Sequence, residues 1–343
     1  MSAPGEQRRK RLLTIGGCNV LETGKRLAWL YDHTHIWNVS WPSLGSPAFP
    51  LIRQPDAAMF DRTRGFIERE VTKSHFPQIR DGDYDVILTT TQYSHYEFAV
   101  LGKACIPDFT SDVFLTEADL AGEQRPSIAE FAGPDVRVIT WRDAEFRTRV
   151  VEGFSRAYRR LFEPAMARGA KLVVYNHILS ETEITPDGFI PIDRPDIPGC
   201  LALNAQIVKE VDRPGLHWIT TRQDLSHTSE DAPWGWWQFH PMAEQYVHLA
   251  AALARVMGDE VEVELWVRHT TALRRRSLGQ RRDLAQARTD LEVSAWKERL
   301  AAARGTALED ELKAVRSSTS WRVTAPLRAV GRWARRRSDR PDS

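Results

Sequence analysis

The chemistry this sequence offers most directly rests on two residues, Cys18 and His240. Cys18 lies in Thr14-Ile15-Gly16-Gly17-Cys18-Asn19, where a short apolar run meets two glycines. Glycines at a strand-to-helix turn let the backbone bend sharply and place the next side chain above the sheet. A thiol there meets the amides of the following helix, which favour thiolate and can hold an oxyanion. Gly17 and Asn19 flank it as oxyanion or cleft residues. His240 lies in Gly235-Trp236-Trp237-Gln238-Phe239-His240-Pro241, just before a helical pattern carrying Tyr246, Leu249, Ala252 and Leu253. On the rim where strands end, a histidine can act as general base or acid. Each position also has a plainer use, as a small cysteine packed at a crowded turn or a histidine capping a helix.

Such a pair needs elements that end on a common rim. Short apolar runs at Leu12–Gly16, Val86–Thr90, Val136–Thr140, Leu172–Tyr175 and His217–Thr220 alternate with longer helical patterns. Ala57–Val71, Ala144–Phe162, Leu201–Val211 and Met242–Val256 carry apolar residues at helical spacing. Pro164 should end or kink the second of these. The alternation predicts an α/β fold, a three-layer flavodoxin-like sandwich with a five-stranded parallel sheet. Ligands bind at the carboxyl ends of such strands. Asn176-His177 ends the fourth run, and Gln92 and His95 follow the second, so these residues fall on the ligand-facing rim. His33-Thr34-His35 has two histidines but no accompanying carboxylate cluster, and no metal or other cofactor is expected.

Composition bounds the rest. The chain has 343 residues, 42% hydrophobic and 27% charged, with a formal net charge of +1, as in an ordinary globular protein without a polyanionic partner. The three widely spaced cysteines make neither a disulfide framework nor a metal-ligand pair. No run approaches the roughly 18 apolar residues that suggest a membrane-spanning helix. Between Arg8–Arg11 and Cys18 the apolar stretch is shorter than the about 7–15 residues of a signal. Export through a lipid-modified Cys18 is therefore not expected.

The segments around Cys18 and His240 together resemble the SGNH/GDSL hydrolase-like superfamily. It carries Gly-Asp-Ser after the first strand and a histidine before the last helix. The closer resemblance is to an SGNH-like family of bacterial surface-polysaccharide gene clusters, whose first block looks like Gly-Ser-Cys. Here that block is Gly16-Gly17-Cys18. Further matching segments are the turn Val39-Ser40-Trp41-Pro42-Ser43-Leu44-Gly45-Ser46-Pro47, Tyr84–Leu88 leading to Thr90-Thr91-Gln92, and Phe239-His240-Pro241 with Tyr246 downstream. The resemblance spans roughly residues 10–256. It implies Cys18 as nucleophile and His240 as base, with Gln92 and the amides near Cys18 holding the oxyanion and Ser40 in the cleft. The family's serine is absent, and Trp237 stands where the acid partnering the histidine usually lies. Asp231, Glu230 or Asp224 would have to orient His240.

The implied substrate is a glycan or acylated glycan, the reaction hydrolysis or transfer of an acyl ester. A non-catalytic carbohydrate-binding or scaffold protein that docks polysaccharide enzymes is the alternative. Trp234, Trp236 and Trp237 suit either, because aromatic faces pack on sugar rings, although tryptophan also fills cores. Ser317–Arg328 is similar to a segment following helical stretches in bacterial glycosyltransferases, but no recognisable nucleotide-sugar site accompanies it.

Four parts are expected: a disordered 1–10, an SGNH-like domain over 11–258, a helical extension over 259–316, and a basic amphipathic tail over 317–343. Glu260–Leu265 reads as a short edge strand and Arg274–Arg316 as a polar helix, its heptad unsustained through Gly305. A solvated helical hairpin or a short dimerising helix fits that stretch. Arg328, Arg332, Arg335, Arg336, Arg337 and Arg340 with Leu327, Val330 and Trp333 suit an anionic membrane surface. No nucleic-acid module is recognisable. A cytoplasmic protein, with its tail at the inner face of the membrane, is the expected location.

Overall fold

The computed structural model describes residues 8–56, 58–91, 96–120, 122–185, 188–193, 196–229, 232–233 and 240–317, with side chains described for part of the last helix. In chain order the elements begin β1 Arg11–Gly16, α1 Cys18–Leu27, β2 Asp32–Trp37, α2 Trp41–Leu44, α3 Arg64–Thr72, α4 His75–Asp81 and β3 Val86–Thr90. There follow β4 Phe98–Leu101, β5 Ala104–Pro107, α5 Glu117–Leu120, α6 Ile128–Ala132, β6 Arg137–Ile139, α7 Ala144–Ala157 and α8 Glu163–Ala167. The remainder is β7 Lys171–Asn176, β8 Thr182–Thr185, β9 Gly188–Pro191, α9 Ile197–Val211, β10 Leu216–Thr220, β11 His227–Thr228, α10 Ala243–Val256 and α11 Glu262–Ser317.

Five strands form a parallel sheet in the order β10-β7-β3-β1-β2. The α/β fold with a five-stranded parallel sheet is the one the strand–helix alternation predicts. Successive side chains point to opposite faces of a strand, and both faces here are covered. Leu13, Ile15, Ile87, Leu172 and Val174 enter the core beneath α2, α7 and α9. Leu12, Val86, Leu88, Val173 and Tyr175 enter the opposite core, beneath α1 and α10.

One expected strand has a different place. Val136–Thr140 does not belong to the parallel sheet; its observed part, β6, pairs antiparallel with β4 in a small sheet ordered β5-β4-β6. The fifth parallel strand is β2, whose His33-Thr34-His35 hides the usual apolar signature. It is an edge strand, so only part of its surface needs to be apolar, and both histidines hydrogen-bond the Thr14 hydroxyl, at 2.8 and 2.7 Å. A second small sheet, β11-β8-β9, follows β7.

Helix boundaries also shift. The helix expected from Ala57 begins only at Arg64, because the Asp56 carboxylate accepts from the backbone N–H groups of Ala58 and Met59 and holds a turn. Ala144–Phe162 divides into α7 and a π-helical turn, Tyr158–Phe162, before Pro164 opens α8. Glu260–Leu265 is not an edge strand: α11 starts within it. Its Val-Glu alternation gives way to the helical ion pair Glu264–Arg268 and to burial of Leu265.

The chain divides into two compact units, the first through His269 and the second from Thr270. In the first, Lys10 and Tyr31 both bind Asp259, at 2.7 Å. The second begins within α11, at Thr270, and the helix is uninterrupted through Gly305 rather than a hairpin. The expected basic tail beyond Ser317 lies outside the described residues.

Candidate functional site

The carboxyl ends of the parallel strands meet along one edge, where Gly16 is level with Trp37, Thr90 with Tyr175, and Asn176 with Thr220. Gly16 has φ +142°, a conformation that side chains rarely adopt, and a Cβ there would lie 2.8 Å from Thr90 Cγ2. A glycine is therefore required where β1 turns into α1. Gly17 caps the helix in extended conformation, and Cys18 is its first residue, half-buried at the rim. The first amides of a helix have no intrahelical acceptor, so the thiol lies beside backbone donors suited to an oxyanion.

Beneath Cys18 is a closed polar network. Asn19 is fully buried; its Oδ1 accepts from the Tyr246 hydroxyl at 2.8 Å and lies 3.8 Å from Cys18 Sγ. Its Nδ2 donates to His177 Nδ1 at 3.1 Å. The same ring nitrogen is 3.2 Å from the Tyr175 hydroxyl, which is 2.8 Å from Thr221 Oγ1. The Thr91 hydroxyl accepts from the His177 backbone N–H at 3.0 Å, and the Thr221 hydroxyl from that of Ile178 at 3.0 Å. The ends of β3, β7 and β10 and the helices α1 and α10 thus meet in the network around Asn19 and His177. Burial holds the Tyr96, Tyr175 and Tyr246 hydroxyls protonated well above their ordinary range, and Cys18 acts in the same direction on each.

His177 is 5% exposed, and burial lowers its pKa from 6.5 to about 3, with nearby His240 adding to the shift. The ring is neutral near pH 7. Since the Asn19 amide nitrogen can only donate, Nδ1 accepts, and the proton belongs on Nε2. That Nε2 is buried and has no hydrogen-bond partner among the described residues.

His240 is itself buried, and the chain leaving it is held where the Met242 N–H donates to the His227 carbonyl at 2.9 Å, beside β11. The chain matches no protein-family model, and no curated protein matches it.

Among the other expected site residues, Asn176 accepts from Asn204 at 2.7 Å and so ties the rim to α9. Ser40 is fully buried and caps α2, accepting from the Ser43 N–H at 3.4 Å. Asp224 lies in the short 3-10 turn Gln223–Leu225, its carboxylate bound to exposed Arg222. Gln92, His95, Glu230, Asp231 and the tryptophan-rich segment 234–239 lie outside the described residues. Among the described residues, no three His, Cys, Asp or Glu side chains form a metal-binding group, and no helix is long and apolar enough to cross a membrane.

The sequence reading missed Tyr175, Thr91, Thr221 and Asn204 as parts of the site. Tyr175, Thr91 and Thr221 occupy strand ends, a signal available once the rim is recognised. Asn204 sits inside an apolar helix and gives no comparable signal. Also missed was the buried group Ser43, Glu70 and Lys73, where Lys73 Nζ lies 2.7 Å from Glu70 Oε2 and 3.0 Å from Ser43 Oγ. Burial would raise the Glu70 pKa, but Lys73 and His75, with the hydrogen bonds from Lys73 and Ser43, hold it below the ordinary carboxylate value.

Proposed function

We propose that this is an SGNH-like protein of surface-polysaccharide biosynthesis or modification, hydrolysing or transferring an acyl ester on a glycan. The observation that carries this reading is the position of Cys18: first in α1, at the carboxyl edge of a parallel sheet, beside the buried Asn19–His177 hydrogen bond. A half-buried thiol beside buried, fixed polar groups suits nucleophilic acyl chemistry better than packing alone.

In this mechanism, Cys18 Sγ attacks the ester carbonyl as its proton passes to His240. The carbonyl electron pair moves to oxygen, held by the amides at the start of α1. The buried Nε2–H of His177 supplies a further donor. Collapse breaks the carbonyl–alkoxy bond, and the departing sugar hydroxyl takes the proton from His240. Water or a second hydroxyl then attacks the thioester, gives its proton to His240, and releases the acyl group; that proton returns to Cys18.

The decisive experiment measures ester hydrolysis and acyl transfer on acylated oligosaccharides by wild type, Cys18→Ala and His240→Ala. Loss of at least about 100-fold in both variants is expected from the contribution of a positioned base and nucleophile. Equal rates in all three proteins overturn the assignment.

A second reading, a binding or docking protein without turnover, draws support from the engagement of Asp224 with Arg222, away from any acid role. Acylated-glycan binding that survives Cys18→Ala, in a wild type without turnover, would select it. Either reading has polysaccharide enzymes as partners and a cytoplasmic location, with segment 317–343 on an anionic inner membrane face. Liposome co-sedimentation before and after truncation at Val315 tests the last point, and unchanged recovery rejects it.

A further inference from the structure

The second unit presents a long helix whose leucines face solvent. Leu273, Leu291, Leu308 and Leu312 are all exposed, Leu291 by 72%. All four fall on one seam when α11 is read as a heptad with Leu291 and Leu312 at a positions and Leu273 and Leu308 at d. The weaker seam positions are small or polar: Ala287, Ser294, Glu298 and Gly305. By position along the chain, Leu284 and Val315 continue the seam and Ser277, Gln280 and Ala301 interrupt it.

We propose that residues 270–315 of α11 pair antiparallel with the same segment of a second copy of this chain, about a two-fold axis between positions 292 and 293. Apart from Leu273, which meets Leu312 of the second copy, this register matches large residues to small ones along the seam. Leu291 meets Ser294, and by position along the chain Leu308 falls level with Ser277, Leu284 with Ala301, and Gln280 with Gly305. Glu298 meets Ala287. A parallel in-register pair stacks each residue on itself instead, which leaves a void at Gly305 and sets two Glu298 carboxylates together in the seam.

The flanking charges select the same arrangement. Antiparallel helices bring e positions opposite e and g opposite g. In this register Arg274 faces Glu309 of the second copy, and Asp290 faces Lys297. By the same count along the chain, Arg276 falls level with Glu311 and Asp283 with Arg304, while Arg281 and Arg288 meet alanines. No like-charged pair occurs at these flanks. The parallel alternative sets Arg276 against Arg281. The sequence break at Gly305, which argues against a self-matched seam, becomes the complement of Gln280 once the helices run in opposite directions.

The test uses the full chain. Light scattering coupled to size exclusion should give twice the chain mass, and Leu291→Asp with Leu308→Asp should return it to the monomer without changing far-ultraviolet circular dichroism. Charge reversal at Arg274 and Arg276 to Glu should weaken the dimer at least about tenfold; adding Glu309→Arg and Glu311→Arg should restore it. Orientation is read by oxidising an equimolar mixture of Leu273→Cys and Leu312→Cys proteins, with wild type as background. A disulfide linking the two different chains is expected. A monomeric wild type, a mass insensitive to the leucine changes, charge reversal without rescue, or predominant Leu273→Cys self-linkage overturns the proposal. Glycan turnover plays no part in these measurements.

Discussion

Asn19 and His177, 158 residues apart in sequence, share a hydrogen bond of 3.1 Å between Nδ2 and Nδ1 directly under the candidate nucleophile. The bond joins the first helix to the end of the fourth strand of the sheet in chain order. It also determines which imidazole nitrogen carries the proton. Replacing Asn19 with Ala removes the acceptor of the Tyr246 hydroxyl and the donor to His177, leaving both buried. We expect a loss of about 1–3 kcal/mol, measured by urea denaturation. Ring-nitrogen NMR shifts should assign the native His177 proton to Nε2, and a predominant Nδ1–H form would refute the network as drawn.

Acid should destabilise the fold through its buried histidines. Burial lowers the folded-state pKa of His177 and His35 to about 3 and of His75 to about 4, from an ordinary 6.5. Above pH 6.5 neither folded nor unfolded rings bind many protons, so their neutral, buried form is fully compatible with stability. Below it the unfolded chain takes up protons that the folded chain refuses, and stability falls until the folded values are reached. Denaturation midpoints should therefore drop between about pH 6.5 and 4, and His177→Gln should shallow the slope. An unchanged slope would show that His177 titrates normally.

The Glu70–Lys73 pair should be costly to break from one side. Both side chains are buried, at 0% and 7% exposure. Lys73→Met leaves the Glu70 carboxylate uncompensated, and a loss of about 3–5 kcal/mol is expected. Adding Glu70→Gln should recover much of it, because the remaining buried group is neutral. Equilibrium unfolding of the single and double variants separates these outcomes; a double variant as unstable as the single contradicts the electrostatic cause.

Gly153 permits the close approach of α7 to α2. A Cβ there would lie 2.6 Å from Pro42 Cα and 2.7 Å from the Trp41 carbonyl oxygen, both backbone atoms. Gly153→Ala should therefore destabilise by about 1–3 kcal/mol and disturb the Trp41–Thr89 hydrogen bond, 3.0 Å long and fully buried. Gly65→Ala is the control: its nearest neighbour is the flexible end of Arg69, at 3.4 Å, and Gly65 lies on the exposed face of α3. Thermal melts should show it neutral or stabilised by up to about 1 kcal/mol.

Legibility followed the strength of local signals. Strands buried on both faces, such as Val86–Thr90 and the centre of Lys171–Asn176, announce themselves as continuous apolar or threonine runs, so these strands could be read almost residue by residue. β2 could not, because an edge strand tolerates His33-Thr34-His35, where His33 Nε2 and His35 Nδ1 pair with the Thr14 hydroxyl across the sheet. β6 misled for the opposite reason: its valines and isoleucine fit any strand, and only pairing partners distinguish a parallel sheet from an antiparallel one.

For Cys18 and His240, the sequence determined more than their residue types. The glycine turn after β1 is a local property that places Cys18 at the start of α1, and the apolar face of α10 marks the helix that His240 precedes. What only the tertiary structure decided is the polar network beside Cys18. Asn19, Thr91, Tyr175, His177, Thr221 and Tyr246 come from distant segments, and hydrogen bonds need atoms within about 3 Å. No periodicity in the chain specifies such distances. They arise when the two faces of the sheet bury their side chains and bring the strand ends level.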